Sequence, residues 1–200
     1  VIAPHCLPKT TQFKQSLRQL LTNKLFMLGL TALLAYEIAE ISINSYFINY
    51  VTAMQWLNDN QASVALTFAL SFFMVGRFIG SYVLKRFRAT LVLLVCALGT
   101  FVCCALVLTQ IEFVSFVSLL GLYLFEAIMF PTIFALSIEK ASKQASLASS
   151  LLMMTPIGGC AFLGMGHLAE TFNPTFPFIV PLVCFGIIVV YAVICVKHKN

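Results

Sequence analysis

Long apolar runs separated by short polar breaks dominate the chain. Six of them lie over about residues 25 to 50, 62 to 84, 89 to 109, 112 to 138, 146 to 169 and 176 to 196. Each holds roughly 20 residues or more, the length a helix needs to cross about 30 Å of hydrocarbon at 1.5 Å per residue. Strands of a transmembrane barrel would be shorter and alternating. The pattern therefore predicts an all-α integral membrane fold with six transmembrane helices over 25–196, preceded by a polar segment over 1–24 and followed by a short tail over 197–200.

The polar breaks differ sharply in charge. The N-terminal segment, the break with Lys85, Arg86 and Arg88, the break with Lys140 and Lys143, and the tail with Lys197 and Lys199 hold eleven of the twelve basic residues. The breaks around Asp59, Glu112 and Asn173 hold none. Positive charge stays on the cytoplasmic side, which predicts cytoplasmic termini and a multi-pass protein of the cell's inner membrane. The segment KTTQFKQSLRQLLTNKL can form a helix with Phe13, Leu17, Leu20 and Leu21 on one side, suited to a membrane surface; a solvated linker is the other reading.

Composition agrees, with 60% hydrophobic residues, 10% charged residues and a mean hydropathy of +0.98, more apolar surface than a soluble domain of 200 residues can bury. The first 24 residues lack the short apolar core and cleavage site of a signal peptide. The chain begins with Val, which is read as an upstream part removed, processed or never included. Of the seven cysteines, all except Cys6 fall within apolar spans and none forms a CxxC pair, so free buried thiols are expected rather than a metal or disulfide framework. No nucleotide-binding glycine loop, zinc signature or nucleophile elbow is present. Neither an enzyme, a cofactor nor a nucleic-acid partner is expected.

Four charged residues interrupt the spans: Glu37 and Glu40 in the first, Arg77 in the second and Glu126 in the fourth. A charge at the centre of a membrane helix costs roughly 2.5 to 3.5 kcal/mol on insertion scales, so an isolated lipid-facing helix would not tolerate Glu37 and Glu40 together. Glu37, Glu40 and Asn44 follow a three-and-four spacing and share a helix face, with Tyr36 and Phe47 at its margins. Carboxylates and amides bind hydroxyls while aromatic rings cover C–H faces, so this face suits a sugar; a buried helix–helix hydrogen-bond cluster is the alternative. Arg77 lies about 12 Å along a helix from Lys85, and either snorkels to the cytoplasmic surface or acts in pairing or gating.

Pro131 follows Glu126 within FEAIMFPTIF, where it removes a backbone hydrogen bond and loosens the helix beside a carboxylate. Pro156, Gly158, Gly159, Gly164 and Gly166 crowd the fifth span, favouring close backbone packing first and flexion second. His167, near the outer end of that span, reads as an interfacial residue before a proton relay.

Four stretches, YEIAEISINSYFINY, GRFIGSYVLKRF, MFPTIFALSIE, and SSLLMMTPIGG followed by GHLAE, occur in an order that resembles the C-terminal half of the fucose permease, glucose/galactose and N-acetylglucosamine transporter family of the major facilitator superfamily. The resemblance covers about residues 13 to 196. It implies six helices of a twelve-helix bundle, joined through the polar segment to an N-terminal half that is missing here. It also implies proton-coupled uptake of fucose or a related hexose or N-acetylhexosamine, with the principal coupling carboxylates on that other half.

By the same resemblance, Glu37, Glu40, Asn44, Asn49, Glu126 and the Met129, Phe130, Pro131 turn face the substrate, while Arg77 belongs to the cytoplasmic gate. Gly158 and Gly159 match the family's glycine pair, the small residues through which a kinked or gating helix would pack. Glu37, Asn44 and Glu126 depart from the family pattern, which adds two acids to the cavity and leaves open a proton site or an amino or cationic substrate. Two other readings stand beside this one: a complete six-helix protein that dimerises as a pore or scaffold, and a remnant that inserts but does not transport.

Overall fold

The computed structural model describes residues 10–141, 144–161, 164, 167–168, 171 and 173–199. Cys6, Lys9, Lys143 and Gly166, which the sequence reading singled out, lie outside the described residues. All regular structure among the described residues is helical. Helix α1 spans Thr10–Thr22, α2 Lys24–Ala53, α3 Asp59–Arg86, α4 Ala89–Val107, α5 Glu112–Ala141, α6 Ala145–Leu152 and α7 Ile179–Lys199. Short 3-10 segments cover Thr155–Ala161 and Phe176–Phe178.

Five of these helical runs are long and apolar enough to cross a membrane: α2, α3, α4, α5 and Phe176–His198. Where the hydropathy pattern predicts one span from 146 to 169, α6 ends at Leu152 and the 3-10 segment follows a turn at Met153 and Met154. The local chemistry accounts for the break. Pro156 has no N–H to donate, glycine costs about 1 kcal/mol in a helix interior, and the Thr155 hydroxyl donates to the Leu152 carbonyl at 2.7 Å.

Caps fix the other boundaries. The Asn23 side chain accepts from the N–H groups of Leu25 and Phe26 at the start of α2, at 3.1 and 3.4 Å. The same amide donates to the Lys140 carbonyl near the end of α5 at 3.0 Å. At the start of α3 the Asn58 N–H donates to the Gln61 side chain at 3.2 Å. Asp59 occupies the first turn of α3 and Lys85 and Arg86 its last, and Glu112 and Lys140 repeat the arrangement on α5. Each charge opposes the helix dipole at its own end.

Successive helices run up and down. At one end α1 meets α6 through the Gln144 amide, which donates to the Gln19 side chain at 2.9 Å. Leu20 of α1 is 2% exposed, so α1 seats an apolar anchor on the bundle. At the other end the Tyr50 hydroxyl donates to the Val107 carbonyl at 3.3 Å, and the Gln110 amide donates to the Thr175 hydroxyl at 3.0 Å. Lys85, Arg86, Arg88, Lys140 and Lys197 therefore share the end that carries α1.

Within the bundle α4 packs on α5 and α7, α2 on α7, α5 and the Thr155–Ala161 segment, and α3 on α5. Two of these contacts run over glycine. A Cβ at Gly76 would lie 2.8 Å from the Ala127 Cβ, and one at Gly80 2.5 Å from Ile128. GRFIG is thus a small-xxx-small seam that brings α3 onto α5. Gly158 faces Ile38, where a Cβ would come within 3.0 Å, and a Cβ at Gly159 would overlap Ile41. Gly159→Leu is expected to lift the 3-10 segment from α2 at a cost of about 1 to 3 kcal/mol, read as a lower melting temperature of the purified protein.

Candidate functional site

The intramembrane charges gather where α2, α3 and α5 meet. On α2, Glu37 is 7% exposed, Glu40 and Asn44 are partly exposed, and Tyr36 is fully buried. The Tyr36 hydroxyl donates to the backbone carbonyl of Glu126 at 3.2 Å, and its ring lies 6.0 Å from that of Phe130. Phe130 stacks in turn on Phe134 at 6.0 Å and 17°. About three turns further along α2, the Phe47 ring meets Tyr123 edge-on at 6.0 Å. Carboxylates and aromatic rings are thus interleaved in a layer of side chains that runs about three turns along the seam between α2 and α5.

Arg77 projects from α3 with its guanidinium 4.6 Å from the centre of the Phe73 ring, a cation–π contact that holds the charge on a defined side of the helix. Its field acts on Glu37, Glu40 and Tyr36. Glu37 and Glu40 also repel each other, and Glu40 acts on Glu126. Two carboxylates thus share one arginine, which stands between the two glycines of the α3–α5 seam, and the third interacts with one of them.

Glu126 is 0% exposed, and neither carboxyl oxygen has a hydrogen-bond partner among the described residues. The Asn44 carbonyl oxygen and the hydroxyls of Ser42 and Tyr123 are enclosed in the same way. A buried polar atom without a partner costs on the order of 1 to 3 kcal/mol, so this layer holds several at once. Such groups cluster where a fold keeps chemistry rather than packing.

The remaining residues singled out from the sequence are dispersed. Met129 is fully buried and points to α4, its sulfur accepting from the Thr100 hydroxyl at 3.8 Å. Phe130 is partly exposed, Pro131 lies on the exposed side of α5, and Arg77 is exposed. Asn49 is exposed too, about half a turn around α2 from Glu40. Gly158 and Gly159 form the contact of the 3-10 segment with α2, on the side of Leu34, Ile38 and Ile41. A cleft of about 260 Å³ lined by Trp56, Leu57, Glu112, Phe113 and Phe116 lies at the far end, away from Glu37, Glu40 and Glu126.

Sequence reasoning passed over Tyr36 as a margin residue and left Tyr123 and Ser42 unmentioned. Their burial beside carboxylates is a matter of helix rotation, which hydropathy does not report. The described residues contain no His, Cys, Asp and Glu group that could hold a metal ion.

No family model matches the chain. It is 28% identical over 171 residues to the glucose/galactose transporter of Brucella abortus biovar 1 (strain 9-941), covering 84% of this chain and 42% of that protein. It is 29% identical over 192 residues to the L-fucose-proton symporter of Escherichia coli (strain K12), covering 94% of this chain and 44% of that protein. Its fold matches the crystal structure of the major facilitator superfamily transporter FucP in the outward conformation with a TM-score of 0.83. That match has 27% identity over 93% of this chain and 46% of the other. The chain spans somewhat under half the length of these relatives, and its all-helical membrane fold is that of about half such a transporter. These relatives are transporters, not enzymes.

Proposed function

We propose that this chain is the C-terminal half of a twelve-helix secondary transporter that carries fucose or a related hexose or N-acetylhexosamine across the inner membrane together with protons. The observation that carries the reading is the layer of Glu37, Glu40, Tyr36 and Glu126 with Arg77, set inside a bundle that resembles half of a sugar transporter. Major facilitator halves place their substrate near the bilayer midplane, at the junction of the two six-helix units. Intramembrane charge of this density is otherwise hard to accommodate.

In this reading Glu37, Glu40 and Asn44 offer oxygen acceptors and an amide to sugar hydroxyls, and Phe130 covers an apolar sugar face. Asn49 and the exposed side of α2 meet the other half, the partner that completes the cavity. The end carrying α1 and the basic residues faces the cytoplasm. The exposed apolar face of α3, with Phe68, Phe72, Val75 and Tyr82, is covered by lipid or by that other half.

The first test is the intact mass of the native product in its source membrane. A mass about twice 22.1 kDa is expected. A mass near 22.1 kDa would overturn the half-transporter reading in favour of a dimerising six-helix protein or a remnant. In the complete gene product, Glu40→Gln is expected to lower uptake of labelled sugar about tenfold at equal protein level, some 1.4 kcal/mol of binding or coupling energy. Unchanged transport would remove Glu40 from the site.

A further inference from the structure

Glu126 does not fit a sugar contact. Its carboxyl is enclosed on every side, with both oxygens unpartnered among the described residues, and the polar groups around it are themselves titratable. The titratable groups within its electrostatic reach are Tyr36 and Glu40 on α2, Cys104 on α4 and Tyr123 on its own helix. Arg77 of α3 acts on Glu37, Glu40 and Tyr36, and Cys184 of α7 acts on Cys104. A sugar cannot enter such a space without dismantling the layer. A proton can, and it is the ligand that cancels a buried charge at no cost in volume.

A route is present as well. Glu40 is partly exposed, so its carboxyl can exchange with water in a cavity, while Glu126 cannot. The Tyr36 hydroxyl has ties to both residues: it donates to the backbone carbonyl of Glu126 at 3.2 Å, and the Glu40 carboxylate acts on it. A hydroxyl both donates and accepts, so it can pass a proton without being ionised at the end.

We infer that Glu126 is a proton-binding site on this half, loaded from Glu40 through the hydroxyl of Tyr36. The inference rests on the transporter reading above and assigns this half a proton site of its own. In the transfer the Glu40 O–H bond breaks and its proton binds the Tyr36 oxygen. The Glu126 side chain turns towards this hydroxyl, and the original Tyr36 proton passes from its bond with the Glu126 backbone carbonyl to a Glu126 carboxylate oxygen. Glu40 is left as a carboxylate in the field of Arg77, Tyr36 is again neutral, and Glu126 is a neutral acid. No oxidant, reductant or further reactant takes part. The charge has moved from the enclosed position to the one that has a cation.

The test uses the complete gene product carrying this chain, purified and reconstituted in lipid, and follows the carbonyl stretch of protonated carboxylic acids by infrared spectroscopy as pH is varied. A band is expected that is lost in Glu126→Gln, persists in Glu40→Gln, and responds to a pH jump at least about tenfold more slowly in Tyr36→Phe. A band that survives Glu126→Gln, or the lack of any band in the parent protein, overturns the inference. Should Glu126→Gln fail to fold, Glu126→Asp keeps a carboxyl, and the band must shift in frequency; an unshifted band overturns the inference equally. Counterflow of labelled L-fucose, glucose and galactose by the parent protein is measured beside it. Failed counterflow with the band present rejects sugar transport and leaves the proton site standing.

Discussion

Gly76→Leu is expected to give a protein that barely accumulates in the membrane, because α3 can then no longer seat on α5. A Cβ at this position would lie 2.8 Å from the Ala127 Cβ and 3.1 Å from the Leu124 carbonyl oxygen. The second neighbour is backbone and cannot rotate away. Gly76→Ala should already cost about 1 to 3 kcal/mol, the usual range for overpacking, and leucine considerably more. Gly80 is more forgiving, since the atoms it faces belong to the Ile128 side chain. Two further variants make the argument specific. Gly121→Ala, whose Cβ would meet only the Cys103 sulfur at 3.5 Å, should be neutral or slightly stabilising. Ala127→Gly in the Gly76→Ala background should recover part of the loss, as a double-mutant cycle would show. Melting curves of the purified variants of the complete gene product measure all of these. Equal melting temperatures for Gly76→Ala and Gly121→Ala would dismiss the seam.

Arg77→Glu is expected to abolish transport with little loss of protein. It replaces the cation acting on Glu37 and Glu40 by another carboxylate, so attraction becomes repulsion among three acids in a medium that screens poorly. Uptake should fall at least tenfold, equivalent to about 1.4 kcal/mol, and further at low salt. Arg77→Lys keeps the charge and should retain part of the rate, losing the planar contact with Phe73. Arg77→Ala should alter which face of the protein is accessible to membrane-impermeant thiol or amine labels. Identical labelling from both faces, with transport intact, would reduce Arg77 to a surface cation held by a phenylalanine.

Much of this architecture was legible in the chain because transfer from water to hydrocarbon depends on composition and length, which a sequence displays directly. The α2, α3, α4 and α5 helices and the Phe176–His198 run fall where the apolar runs lie. So does the segregation of basic residues to one end. The angular setting of each helix was not legible. A helix surrounded by lipid on one side and protein on the other is apolar all round, so no stripe tells which way Glu126 points. It points to the interior, and Met129 with it, whereas Asn49 lies on the exposed side of α2. The break after Leu152 had a visible cause in Thr155, Pro156, Gly158 and Gly159, yet hydropathy averaged across it because every residue there is small or apolar. Gln55 and Gln110 take left-handed φ values of 58° and 60° in the turns after α2 and α4, positions that glutamine does nothing to advertise.

The Asn23 amide spans two helices: its oxygen starts α2 and its nitrogen closes α5 at Lys140. These are the helices that carry the buried acids, and they are pinned to each other at the end bearing α1. A pin at one end makes the pair a lever with a fixed fulcrum. A tilt of α2 against α5 about this pin moves the far end most and strains the Tyr36–Glu126 hydrogen bond of the acid layer, which lies partway along the arm. Displacement at that layer is then a fraction of the displacement at the tip, so a large motion at the mouth becomes a sub-turn adjustment among the acids.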